Sequence, residues 1–532
     1  MGLRIFKKYC ILFSVIGFFV FLLVSRLYIS SNTQLEHSEA DLAVRDALNR
    51  RRFEDELINE KLKHEADSNG TDINVYRRNY VKQMMRNAWS NYSKYSWGHN
   101  ELRPLSKIGH SGSVFGRSLI GATIVDALDT LLIMDLKEEF EAARQWVANS
   151  FDMRSAQGEL SVFETNIRYV GGFLSTYALT GDKLFLAKAR EVADLLLPAF
   201  NTQTGIPLAL VNMQNGHASN YGWASGGCSI LSEFGSLELE FDYLSRATGN
   251  STYINKVRPI RRILNELKKR DDLYPLYVNP KTGNSCLRYV SIGALGDSFF
   301  EYLLKIWLFH NRTDVGLKAD YDRAMTAVEK HLLYKSEPSR LWYFAELKGS
   351  RVEHKMDHLA CFIAGMFALQ SKYETDPLIR DRTLELGEQI GKTCHEGYIR
   401  SATGIGPESM RFIPGSVEAK TDRDSEKYYI LRPEVVEGWF VLYRVTGNPM
   451  YREWCWAAVQ AIERHCRTPN GYSGIRNVYE TKFPSDQDDV QQSFFLSETL
   501  KYLYLVFSDS SVISLDDWVL NTEAHPFPIQ RN

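Results

Sequence analysis

Thr180-Gly-Asp-Lys-Leu-Phe185, Thr248-Gly-Asn-Ser-Thr-Tyr253 and Thr446-Gly-Asn-Pro-Met-Tyr451 share one local pattern. In each, the spacing predicts that a helix ends at Thr-Gly, that Asp or Asn caps a following helix, and that an aromatic side chain packs just inside it. The first two copies lie 68 residues apart and the third 198 further on, close to three times the same period. Weaker echoes, Asn311-Arg-Thr-Asp314 and Thr375-Asp-Pro377, fall between them. Apolar residues at i, i+3, i+4 spacing run through Val81–Trp89, Ile124–Met134, Phe140–Val147, Phe299–Phe309 and Ala457–His465, whereas long β-alternating runs are scarce. A period of roughly 66 residues holds one pair of antiparallel helices plus a loop, and about seven such hairpins fit the sequence beyond residue 75. This points to one closed helical barrel rather than several separate domains.

The totals agree with a globular chain. Of 532 residues, 44% are hydrophobic and 24% charged, and a formal net charge of −2 gives no reason to expect nucleic acid as a partner. The 12% aromatic content, with 10 Trp and 28 Tyr, suits a large core or a sugar-binding cleft. Tyr9 to Ile29 is almost wholly apolar and follows Arg4, Lys7 and Lys8. It reads as a signal anchor spanning a bilayer once, with a cleaved signal peptide as the alternative. Residues 1–8 then form a cytoplasmic tail, 9–29 the span, 30–75 a charged lumenal stem and 76–532 the folded domain. Sequons at Asn69, Asn91, Asn250 and Asn311 fit a lumenal compartment. Six cysteines lie beyond the span, and their pairing is open by counting alone. Cys455 and Cys466 fall on one expected helix, roughly 16 Å apart, too far to bond.

In an alternating hairpin the ends opposite the Thr-Gly turns gather on one face. Those ends carry Val162-Phe-Glu-Thr-Asn-Ile-Arg168, Leu231-Ser-Glu233, Gly293-Ala-Leu-Gly-Asp-Ser298, Lys355-Met-Asp-His-Leu359, Ile430-Leu-Arg-Pro-Glu-Val-Val-Glu437, Phe494-Phe-Leu-Ser-Glu498 and Asn521-Thr-Glu-Ala-His-Pro526. Each carboxylate alone could cap a helix or pair with Arg168 or Arg432. Several on one face can separate an acid from a base by their surroundings, as cleavage of a glycosidic bond requires. No zinc, nucleophile-elbow or phosphate-loop motif is present. A hard cation held by oxygen is compatible, with Thr522 as ligand and water held by Glu233, Glu437, Glu498 and Glu523.

At these residues the sequence resembles class I α-1,2-mannosidases, glycoside hydrolase family 47, from about Arg77 to Ile529. The resemblance is carried by Ile124-Val-Asp-Ala-Leu-Asp-Thr-Leu-Leu-Ile-Met134, Val162–Arg168, Gly181-Asp182, Leu431-Arg-Pro-Glu434 and Asn521–Pro526. It implies an all-α (α/α)7 barrel that trims α-1,2-linked mannose from Asn-linked oligomannose glycans with inversion and with Ca²⁺. Position by position it implies Glu164 as general acid acting through a water, Asp297 as its partner and alternative acid, and Glu434 as general base. Thr522 would bind Ca²⁺ directly, and the ion would touch the 2- and 3-hydroxyls of the sugar. Arg168, Glu233, Arg432, Glu437, Phe494, Glu498 and Glu523 match positions that contact sugar or support those that do, and His358 lies beside them. Cys361 and Cys394 match the family's disulfide. Leu295 stands where reticulum members of the family carry Arg. That implies a broader, Golgi-type cleft, a five-mannose product and a Golgi membrane location. The competing reading is a non-catalytic glycan-binding relative.

Overall fold

The computed structural model describes residues 72–116, 118–481 and 486–531. The expected tail, membrane span, most of the stem and Asn69 lie outside the described residues. Among the described residues, no helix is long and apolar enough to cross a membrane. The first helix starts at Ile73, inside the last residues of the expected stem.

Helices alternate between an inner and an outer set. The chain begins with α1 (Ile73–Ser96), then runs through α2 (Ala122–Ile133), α3 (Lys137–Asn149), α4 (Gly171–Thr180), α5 (Lys183–Leu196), α6 (Glu238–Thr248) and α7 (Thr252–Glu266). It continues through α8 (Asp297–Phe309), α9 (Val315–Leu332), α10 (Phe362–Tyr373), α11 (Pro377–Ile399), α12 (Glu434–Thr446), α13 (Met450–His465) and α14 (Leu500–Val506). The pairs α2–α3, α4–α5, α6–α7, α8–α9, α10–α11 and α12–α13 pack as hairpins. The inner members touch in the order α2, α4, α6, α8, α10, α12, α14, and a π-helical turn, Phe495–Thr499, ahead of α14 returns to α2. The outer partner of α14 is α1, from the opposite end of the sequence. The seventh pair is therefore not a sequential hairpin, and no local repeat announces it. The period is also looser than the three Thr-Gly copies imply: starts of consecutive inner helices are 49 residues apart at the closest and 72 at the widest.

Composition explains the two sets. In α8, residues Ser298 to Phe309 are all buried, so an inner helix is apolar nearly all round. In α5 only Phe185, Ala189, Val192, Ala193 and Leu196 are buried, one stripe at i, i+3, i+4 spacing. The tightest inner contact, α10 on α12, passes over Gly365 and Gly438, where a Cβ on Gly365 would sit 3.2 Å from the Gly438 Cα.

The Thr-Gly turns form as expected, and by the same bonds each time. Gly181, Gly249 and Gly447 take φ of 71°, 69° and 69°, a left-handed geometry that glycine adopts at little cost. The preceding Thr180, Thr248 and Thr446 hydroxyls donate to the carbonyl four residues back. They also accept the N–H of the Asp or Asn two residues on. Asp182, Asn250 and Asn448 then accept the N–H two residues further along, opening the outer helix. Asp314 and Asp376 cap α9 and α11 in the weaker copies. The longer loops that lead from each outer helix to the next inner one carry small antiparallel sheets of two or three strands. They gather at the face opposite the turns. Asn91 lies within α1 with its Nδ2 donating to the Asn87 carbonyl at 2.9 Å, while Asn250 and Asn311 lie in inter-helix turns.

Cys361 pairs with Cys394, and Cys228 pairs with Cys286. The first bridge joins α11 to the turn that opens α10. Cys455 and Cys466 are buried and free.

Candidate active site

The N-terminal ends of the inner helices surround a cavity of about 320 Å³. Asp297 is the first residue of α8, and Glu301 lies one turn on. Glu434 is the first residue of α12, with Glu437 in the same turn. Arg168 and Glu498 sit on π-helical stretches, Thr165–Val170 and Phe495–Thr499, a widened geometry common where helices carry function. Leu295, Leu431 and Ala524 adopt φ of 70°, 68° and 60°. These left-handed conformations are costly for residues with a Cβ and cluster at such sites. Each lies within three residues of a cavity carboxylate.

The loop Asn521–His525 reaches this cavity from the turn face. It joins two short strands, Trp518–Leu520 and Pro526–Pro528, paired antiparallel. Its Asn521, Glu523 and His525 side chains are buried, while Thr522 is partly exposed. The Asn521 Nδ2 donates to Glu240 Oε1 at 2.7 Å and to the Ile167 carbonyl at 3.1 Å. His525 Nδ1 lies 2.8 Å from Asp129 Oδ2, and Lys501 Nζ lies 2.9 Å from Asp129 Oδ1. Burial works against an ionised Asp129, but Lys501 and His525 outweigh it and bring its pKa to about 2. This charged set locks the loop, and Thr522 and Glu523 at its tip line the cavity.

The expected residues divide into two groups. Glu164, Arg168, Asp297, Arg432, Glu434, Glu437, Phe494, Glu498, Thr522 and Glu523 all line the cavity. Glu233, Leu295 and His358 do not. His358, 2% exposed, reaches the site through Glu434: its Nδ1 is 2.8 Å from Glu434 Oε2 and its Nε2 2.9 Å from the Tyr398 hydroxyl. Glu233 lies near Glu164 and Tyr221, and its Oε2 is buried without a hydrogen-bond partner. Leu295 packs against the apolar cluster around Cys228 and does not line the cavity. Its carbonyl accepts the Ser232 N–H at 3.0 Å.

Glu101, Glu301 and Gln492, which the sequence motifs do not single out as site residues, also line the cavity, and Glu408 and Asp126 stand behind it on Arg432 and Arg168. Glu408 grips Arg432 through both carboxylate oxygens at 2.6 and 2.8 Å. Arg168 donates to Glu164 Oε2 at 2.9 Å and to Asp126 Oδ2 at 3.2 Å, and also pairs with Glu523. The signal for Glu301 was its place one turn after Asp297. That for Asp126 was an Asp pair, 126 and 129, inside an otherwise apolar helix. Glu101 opens the short strand Glu101–Arg103 and Glu408 directly precedes the strand Ser409–Arg411, and neither carries a comparable signal.

The carboxylates are held in different protonation states. Burial, with Glu301 and Glu434 nearby, pushes Asp297 up to about 7. Burial would also raise Glu434, but the His358 hydrogen bond and charge, with Arg432, bring it below the usual range. Burial raises Glu437 and Glu523 to about 8, and Glu101 to about 7. Among the described residues no group of three or more His, Cys, Asp or Glu is arranged to grip an ion directly. The donors that share the cavity with Thr522 are hard oxygens, the carboxyls of Glu437, Glu498 and Glu523 among them. They fit a hard cation held by the Thr522 hydroxyl and carbonyl and by water on the surrounding carboxylates.

A ring of helices whose inner ends bring a carboxyl of raised pKa and one of lowered pKa into one cavity suits the hydrolysis of a glycosidic bond. The sequence pattern of glycosyl hydrolase family 47 matches residues 84–529, and the chain belongs to that family. It is 56% identical over 454 residues to mannosyl-oligosaccharide alpha-1,2-mannosidase IA of Drosophila melanogaster, covering 85% of this chain and 67% of the relative. It is 45% identical over 474 residues to mannosyl-oligosaccharide 1,2-alpha-mannosidase MNS1 of Arabidopsis thaliana, covering 88% and 82%. The solved structure of an alpha-1,2-mannosidase from Trichoderma reesei superposes with a TM-score of 0.78 at 28% identity, over 86% of this chain and 99% of that one.

Proposed function

We propose that this protein is a mannosyl-oligosaccharide 1,2-α-mannosidase built as an (α/α)7 barrel. It removes terminal α-1,2-linked mannose from Asn-linked oligomannose glycans by inverting, Ca²⁺-dependent hydrolysis. The observation that carries this reading is the pair at the starts of α8 and α12: Asp297 holds its proton until about pH 7, while Glu434 is kept ionised. Glu434 takes a proton from the attacking water, whose oxygen bonds to the anomeric carbon. The bond from that carbon to the glycosidic oxygen breaks, and the departing oxygen receives a proton from the acid side, Asp297 or Glu164 through a water. His358 holds the base in place, and Arg432, clamped by Glu408, keeps a positive charge beside it. Arg168 fixes Glu164 and Glu523, and Phe494 offers a ring face to the sugar. Thr522 would hold the Ca²⁺, which would supply positive charge to orient the hydroxyls of the terminal sugar.

Leu295, at the position where reticulum members of the family carry Arg, supports a Golgi-type enzyme that trims to a five-mannose glycan. The apolar stretch 9–29 supports a single membrane anchor with the catalytic domain in the lumen. The test is a time course on a free nine-mannose glycan with saturating Ca²⁺ and with a chelator. Stepwise loss of mannose that stops on chelation supports the reading. Tight glycan binding without release identifies the non-catalytic relative instead.

A further inference from the structure

A second cavity, of about 550 Å³, lies where the ends of α7 and α9 meet the strands Ser285–Leu287 and Tyr289–Val290. It is separate from the catalytic cavity, and the Cys228–Cys286 bridge stands beside it: Cys286 lines it, and Cys228 belongs to the apolar cluster that Leu295 packs against. Leu273 and Val290, both buried, form an apolar part of its floor, and its rim carries Lys268, Arg270 and Arg288 with one carboxylate, Asp271.

Two of the rim's four cations are uncommitted. Lys269, also on the rim, is used internally, its Nζ donating to the Leu264 carbonyl at 2.7 Å. Arg270 pairs with Asp271 at 3.2 Å, both exposed. Lys268 and Arg288 are exposed and have no carboxylate within salt-bridge distance among the described residues. The whole chain has a net charge of −2, so this concentration of positive charge is local. Cations at the mouth of a low-dielectric cleft focus their field on whatever approaches.

Position narrows the occupant. The cavity is built from loops on the face where the catalytic cavity opens. Val290 lines its floor and Asp297 lines the catalytic cavity. Seven residues of chain span at most about 25 Å, so one macromolecule can occupy both at once. A mannose residue has neither charge nor an apolar side chain to offer this second cavity. The polypeptide that carries a glycan has both.

We infer that this cavity binds an acidic peptide segment, with an apolar side chain on its floor, of the same glycoprotein whose glycan sits in the catalytic cavity. This rests on the mannosidase reading. The cavity then sets which glycoproteins are trimmed fastest and leaves the chemistry alone.

The test uses the full chain and the double variant Lys268→Glu with Arg288→Glu. Three substrates carry the same nine-mannose glycan: the free sugar, a glycopeptide flanked by Asp, Glu and Leu, and one flanked by Lys. Wild type should prefer the acidic glycopeptide over the basic one, and about 0.5 M NaCl should erase that preference. The variant should lose on the order of 10-fold in kcat/KM on the acidic glycopeptide, chiefly through association, and nothing on the free glycan. Equal rates for the two glycopeptides in wild type would overturn the inference, as would a variant slowed equally on the free glycan. Loss of binding to phosphatidylserine vesicles in the variant, with glycopeptide kinetics unchanged, would also overturn it and assign the rim to a lipid headgroup. Failure of wild type to release mannose from the free glycan would remove the mannosidase reading itself, a distinct result.

Discussion

Replacing Asn521 by alanine should separate activity from stability. Asn521 is fully buried. Its Nδ2 donates to Glu240 at 2.7 Å and to the Ile167 carbonyl at 3.1 Å, and its Oδ1 accepts the N–H groups of Glu523 at 2.9 Å and His525 at 2.8 Å. Alanine leaves those two N–H groups and the Ile167 carbonyl without these partners. Glu240 keeps Tyr302 and Asn166. Orphaned buried groups cost about 1–3 kcal/mol each, so the sum is on the order of 5 kcal/mol. Unfolding entropy is about 2 cal/mol/K per residue, so in a body of several hundred residues that lowers Tm by only about 5 °C. Activity should fall further, by roughly 100-fold or more, because a displacement near 1 Å of Thr522 and Glu523 misplaces the groups that orient the sugar. The assay is mannose release from the free nine-mannose glycan, well below the melting range, beside a circular-dichroism melt of the same sample. Activity within about threefold of wild type, or a loss that merely tracks the unfolded fraction, would refute the reasoning.

Glu434→Gln should lower kcat by a factor on the order of 10² to 10⁴ with glycan affinity largely kept; a collapse of affinity in calorimetry would make Glu434 a binding residue. The acid must carry its proton, so kcat/KM should fall as pH rises through about 7, the value to which burial lifts Asp297, and Asp297→Asn should remove that limb. An unchanged limb would assign the proton to another group. The acidic limb should lie below the ordinary carboxylate range, because Glu434 is held down by His358 and Arg432. Proton NMR of fresh product should show β-mannose, and α-mannose would rule out inversion. Replacing Cys361 and Cys394 by alanine opens a loop with a sequence separation of 33 and should cost up to about 4 kcal/mol of stability, measured by denaturant melts.

The sequence by itself determined the elements. Thr-Gly-Asp/Asn turns, apolar periodicity and carboxylates at helix starts are encoded within a few residues of one another, and such short-range signals survive whatever the chain does elsewhere. They announced the hairpins and the loop at 521–526. Together with the family's motifs they also marked most of the residues that line the cavity. Three matters were decided only by the tertiary structure. Ring closure needed α1 to pack on α14, a contact between opposite ends of the chain that no local period contains. The opposite pKa shifts of Asp297 and Glu434 needed burial and neighbours from other helices, since isolated carboxylates titrate alike. The placing of His358 behind Glu434, and of Leu295 in the disulfide cluster rather than on the cavity wall, needed the packing of loops joined to different helices. Loop geometry depends on what the loop is folded against, so a one-dimensional pattern could bring these residues near the site but could not say which of them faced it.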